Sequence, residues 1–169
     1  MNLFLTLAFL FLIGSVLGWG LEVIFRRFFS AHRWVNPGFL VGPYLPLYGS
    51  SLCVLYLLAM LESLMPVENP LLKKILLFVV MALAITALEY VAGLIFIRGM
   101  KIKLWDYSDR WGNIQGIICP LFTFFWMVLS AVYYFLIHPH ILNALHWLAE
   151  NLAFSFGIGF FLSLIHISE

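Results

Sequence analysis

Two glutamates and one acidic loop hold most of the side chains in this chain whose types and spacing could do chemistry. Glu89 is the one charged residue in the apolar run Ile75–Ile97. A carboxylate near the centre of a bilayer costs roughly 2.5 to 3.5 kcal/mol on insertion scales, so it persists only with a partner or beside a polar cavity. A group kept at that cost is suited to lining the path of a polar solute or an ion. Its own run supplies no base, so a partner must come from another helix or a loop, or the group must be neutral. Glu22 closes the first apolar run with Arg26 four residues on, the favourable order for a helical ion pair.

A second concentration of polar groups is Trp105-Asp106-Tyr107-Ser108-Asp109-Arg110-Trp111-Gly112-Asn113. Asp106 and Asp109 could pair with Arg110, or with Arg26 and Arg27, and so fix the loops. Alternatively Trp105, Asp106, Tyr107 and Asn113 could offer hydrogen bonds to a polar ligand. A third candidate is the stretch from Asn36 to Gly49, with three prolines and three glycines in fourteen residues. Its structural residues are Gly38, Gly42, Pro43, Pro46 and Gly49, and Asn36 and Tyr48 are its candidate ligand groups. Each proline removes a donor and excludes the preceding helical turn, so the freed carbonyls need partners in protein or water. Two forms satisfy this: a broken segment lining a cavity, or a tight loop before a kinked helix, with glycines allowing close packing. Gly14 and Gly18 add a small-xxx-small spacing that suits helix packing.

Other chemistries find little purchase. Cys53 and Cys119 lie in separate apolar runs without C-x-x-C spacing, which suits buried free thiols. Neither H-E-x-x-H nor G-x-S-x-G occurs, and His138, His140 and His146 belong to a stretch remote from the acidic loop. No catalytic group, metal site or cofactor is therefore assigned. A net charge of +1 with nine Lys and Arg residues scattered among loops argues against nucleic-acid binding.

The elements that must position these residues are membrane helices. Hydrophobic residues make up 64% of the chain and its mean hydropathy is +1.04, beyond what a soluble core requires. The apolar runs predict an all-α integral membrane protein with five transmembrane helices: Leu3–Phe25, Leu40–Leu61, Ile75–Ile97, Asn113–Ile137 and Leu152–Ile167. Seven basic residues (Arg26, Arg27, Arg33, Arg98, Lys101, Lys103, Arg110) follow the first and third spans, against Lys73 and Lys74 on the other side. The positive-inside rule then sets the N-terminus outside and the C-terminus in the cytoplasm. Trp34, Tyr44, Trp105, Tyr107, Trp111 and Trp147 fit interfacial belts, and Ile141–Glu150 reads as an amphipathic segment lying along the interface. Residues 1–162 form a single transmembrane domain, and 163–169 read as a non-native or truncated tail, so His166 is given no role.

The two basic loops align. Leu21-Glu22 and Leu88-Glu89 precede them; Asn36 and Asn113 follow, with Gly38 and Gly116 behind, and Pro43 and Pro120 each lie seven residues after their asparagine. Such a pattern would be a parallel duplication of a helical hairpin, with the last span added outside.

Gly18-Trp19-x-x-Glu22, Asn36-x-Gly38-Phe39-Leu40-x-Gly42-Pro43-x-x-Pro46-x-Tyr48-Gly49, Glu89-Tyr90-x-x-Gly93, Trp105-Asp106-Tyr107-Ser108 and Asn113-x-x-Gly116 follow in order. In these motifs the chain resembles a family of small bacterial membrane proteins described as ABC-transporter permeases of type IV. The likeness runs from about residue 14 to 125. Pro37 departs from it, standing where a basic or polar residue is expected, so no ligand role is carried to that position. The resemblance implies a transport subunit for a small solute or ion in the bacterial plasma membrane. No G-x-x-x-x-G-K-[ST] loop occurs, so pumping would need a separate ATP-binding partner or ion coupling. Two other readings stay open: a non-catalytic assembly or sensor protein binding other membrane proteins, and an enzyme acting on an interfacial substrate through Asp106, Asp109 and Glu89.

Overall fold

The computed structural model describes residues 3–30, 32–38 and 42–151. Its elements are helices α1 (Leu3–Phe25), α2 (Pro46–Met60), α3 (Pro70–Gly93), α4 (Pro120–Val132) and α5 (His138–Asn151). Among the described residues there is no strand beyond one isolated bridge between Ile114 and Ile118. Counting the short 3-10 and π-helical turns that extend them, four helical stretches are long and apolar enough to cross a membrane: Leu3–Phe29, Pro46–Leu64, Pro70–Gly99 and Pro120–Ala144. The predicted fifth span, Leu152–Ile167, and the tail lie outside the described residues.

Helix starts follow local chemistry. Asn69 caps α3, its Oδ1 accepting from the N–H groups of Leu71 at 3.0 Å and Leu72 at 3.1 Å. Pro70 opens that helix and Pro120 opens α4, where a missing N–H leaves no bond unmade.

Four expected boundaries move. The third span begins at Pro70, five residues before Ile75, where the Asn69 cap opens the helix. The second span begins at Pro46 rather than Leu40, because Gly42 and Pro43 keep the approach out of helical geometry and Pro46 can serve only at a helix start. The fourth begins at Pro120 rather than Asn113, since Gly112, Gln115 and Gly116 hold φ of 66°, 59° and 72°, which no α-helix accommodates. After Ile137 the helix runs on into α5, where a break had been expected. Pro139 is tolerated there because the winding has just loosened into the π-helical turn Tyr133–Ile137.

The chain forms two compact units, residues 1–52 with 140–169, and residues 53–139. Within the first, α1 offers Gly14, Ser15 and Gly18 to the start of α2. A Cβ on Gly18 would fall inside the Tyr48 ring, and one on Gly49 would meet Ser15 Oγ and the Phe11 carbonyl. The small residues thus let the two backbones approach, and the Leu45 N–H donates to the Ser15 carbonyl at 2.9 Å.

Within the second unit α3 packs on α4. Met81, Ile85, Ile117, Ser130 and Tyr133 are among the fully buried side chains of that core. Thr86 Oγ1 donates to Thr123 Oγ1 across the helices at 3.1 Å, the kind of bond worth about 0.6 kcal/mol between membrane helices.

Candidate functional site

Glu89 lies four residues from the end of α3 and is 3% exposed. Its carboxylate is met from two directions. The Tyr107 hydroxyl donates to Oε1 at 3.0 Å and the Trp126 indole N–H donates to Oε2 at 3.0 Å. Both carboxyl oxygens are thus engaged in hydrogen bonds. The required partner thus comes from both sources expected for it, a loop and another helix.

The loop after α3 is built to deliver Tyr107. Its N–H donates to the Gly116 carbonyl at 2.8 Å, and its ring stacks on Phe122 of α4 with centroids 4.2 Å apart and planes 13° apart. Trp105 Nε1 donates to the Ile117 carbonyl at 2.8 Å. Ile117 in turn fills the space above Gly93, where a Cβ would collide with it. Asn113 ties the turn together: its Nδ2 donates to the carbonyls of Ser108 at 3.0 Å and Arg110 at 2.9 Å, and its Oδ1 accepts from Gly116 N–H at 3.1 Å. Gly116 takes φ of 72°, and a Cβ there would meet Ser108 Oγ and Asp106 Oδ1.

Asp106 accepts from Ser108 N–H at 2.9 Å and Oγ at 2.5 Å, and pairs with Lys103 Nζ at 2.5 Å. Those donors, Lys103 first, hold the Asp106 carboxyl far below the usual range, and the same carboxylate raises the Lys103 ammonium. Within its own loop Asp106 pairs with Lys103, three residues earlier, rather than with Arg110.

Glu22 occupies a comparable place in the first unit. Oε1 accepts from Arg26 Nε at 2.9 Å, as the spacing predicts, and Oε2 accepts from the Tyr48 hydroxyl at 2.8 Å. Asn36 Oδ1 receives the Trp19 indole N–H at 2.8 Å and the Gly38 N–H at 3.0 Å. Gly42 and Pro43 lie in the irregular approach to α2, and Pro46 is its first residue.

The structure therefore gathers Glu89, Tyr107, Trp105, Asp106, Asn113 and Gly116 at one site, and Glu22, Asn36, Tyr48, Gly38 and Gly49 at another. Trp126 and Lys103 escaped the sequence reading. Trp126 could have been found by asking what a span-interior indole N–H donates to, since that group needs an acceptor in lipid. A further polar cluster also went unremarked: Tyr134 donates to Glu62, and the Tyr133 hydroxyl lies 2.9 Å from His138 Nδ1.

Four apolar helical stretches and two carboxylates set in hydrogen-bonded sites define a helical membrane protein that keeps ionisable groups in its spans. Residues 9–167 match the family model described as "Putative ABC-transporter type IV", and the chain belongs to that family. No curated protein and no solved structure matches it significantly.

Proposed function

We propose that this chain is the membrane subunit of a bacterial plasma-membrane transporter and that Glu89 contacts the transported solute or a coupling ion. The observation that carries the reading is a buried carboxylate on α3 held by a loop tyrosine and a helix tryptophan. A cation or polar solute reaching Glu89 competes with Tyr107 for Oε1. Occupancy would then be felt by the loop 100–119, because Tyr107 is continuous with the hydrogen bonds of Asp106, Asn113 and Gly116. Trp105, Asp106 and Asn113 act as positioning residues in this scheme. Glu22, Tyr48 and Asn36 brace the first hairpin and the approach through Gly42 and Pro43.

The excess of basic residues after the first and third spans supports cytoplasmic loops there, with the N-terminus outside. A separate ATP-binding subunit would dock on those loops and supply energy. The test is affinity purification of the tagged full chain from native membranes in mild detergent, with identification of what accompanies it. Recovery of an ATP-binding subunit whose hydrolysis responds to solute supports the reading. Stoichiometric recovery with other membrane proteins and no ATPase overturns it in favour of an assembly role.

A further inference from the structure

At the opposite end of the second unit's helix pair, α3 and α4 leave an apolar groove of about 520 Å³. Ile75, Phe78, Val128, Val132, Phe135 and Leu136 are among its walls, and all eight lining residues are apolar. Its volume falls within the roughly 300 to 1,000 Å³ of ordinary small-molecule sites. Lysines mark its end. Lys74 precedes Ile75, and its ammonium stands 5.3 Å from the Phe135 ring centroid and 5.9 Å from that of Tyr134. Phe78 packs edge-on against both rings, at 5.6 Å and 5.5 Å, so the cation and the groove wall are one surface. Among the described residues no ion pair involves Lys73 or Lys74. Across the Tyr134 ring, Glu62 accepts the tyrosine hydroxyl.

We propose that this groove holds one acyl chain of an anionic glycerophospholipid, with the phosphodiester at Lys73 and Lys74. The rings fix Lys74 at the mouth by cation–π contact, so its ammonium is already placed when a phosphate arrives. A headgroup bearing hydroxyls suits the neighbourhood further, because a hydroxyl can donate to Glu62 while the phosphate faces the lysines. Phosphatidylglycerol has both features; phosphatidylcholine has neither a net negative charge nor a donor. A cation at the mouth of an apolar groove attracts an anionic headgroup by charge alone, on either side of the membrane. The site is about 15 residues along α3 from Glu89, or roughly 22 Å at 1.5 Å per residue, so it is independent of the transport reading.

The test uses the purified, delipidated full chain in detergent, titrated with phosphatidylglycerol or phosphatidylcholine of the same acyl chains and read by native mass spectrometry. Phosphatidylglycerol should bind at least about tenfold more tightly. Lys74→Gln should weaken it about fivefold, the effect of losing one charge pair at about 4 Å in water, and the double change with Lys73→Gln should compound the loss. Ala131→Phe, which fills the groove, should weaken both lipids, and Lys101→Gln, at the other end of α3, should weaken neither. Equal binding of the two lipids, or phosphatidylglycerol binding indifferent to both lysine changes, overturns the proposal.

Discussion

Replacing Glu89 separates what the carboxylate does for folding from what it does for function. In Glu89→Gln the amide oxygen can still accept from the Trp126 N–H, and the amide N–H₂ can donate to the Tyr107 oxygen, which accepts as readily as it donates. Both contacts survive, but each falls from a charge-assisted hydrogen bond to a neutral one of about half the strength. The net loss should be about 1 to 2 kcal/mol, partly offset because the amide carries no charge to desolvate. Glu89→Ala instead leaves the Tyr107 and Trp126 donors without this acceptor inside the fold, at about 1 to 3 kcal/mol each, so about 2 to 6 kcal/mol in all. Thermal unfolding in detergent, followed by size-exclusion recovery, should therefore rank wild type close to Gln and both well above Ala. Solute uptake by membrane vesicles complemented with each form should rank differently, with Gln nearly as inactive as Ala. Full uptake by Glu89→Gln at equal expression would remove the functional claim, and an Ala form as stable as wild type would refute the hydrogen-bonded geometry.

Two other perturbations test the supports around the carboxylates. Gly18→Ala drives a methyl into the Tyr48 ring and should lower stability by about 1 to 3 kcal/mol, whereas Gly20→Ala, with open space around it, should be neutral or stabilising in the same melting assay. The loop pair Lys103–Asp106 has a defined pH window. Asp106 is depressed, so its contribution is present above the ordinary carboxylate value of about 3.9 and fades as pH falls below it; Lys103 is raised, so its contribution is present below about 10.4 and fades as pH rises further. Proteinase K cleavage of the loop 100–119 should thus vary between pH 5 and 9 no more than cleavage of an unstructured control peptide, while Asp106→Asn should speed it throughout.

How far the residues announced this arrangement depends on the range of the interaction. Apolar run length is local, and it located the four described helical stretches, with the starts of the second and fourth displaced where proline and positive φ act. The Glu22–Arg26 pair is also local, four residues apart on one helix. Trp126 was invisible because its meaning lies in a bond to Glu89, 37 residues away, which depends on how α4 is rotated against α3. Lys103 was missed for a different reason. Several cations stood within reach of Asp106, and the turn through Gly112 and Gly116 decides which of them it meets.

The two hairpins solve one problem with different means, and the difference singles out Glu89. Each sets a glutamate late in its first helix, gives it an aromatic hydroxyl, and places an asparagine-centred turn before the next helix. In the first hairpin the other donor is the Arg26 guanidinium, a cation on the same helix, and the Glu22 side chain is 20% exposed. In the second, the indole N–H of Trp126 donates to a glutamate that is only 3% exposed. Removing a donor from a carboxylate costs more the deeper the group is buried, so replacing Trp126 by Phe should impair uptake more than replacing Arg26 by Gln.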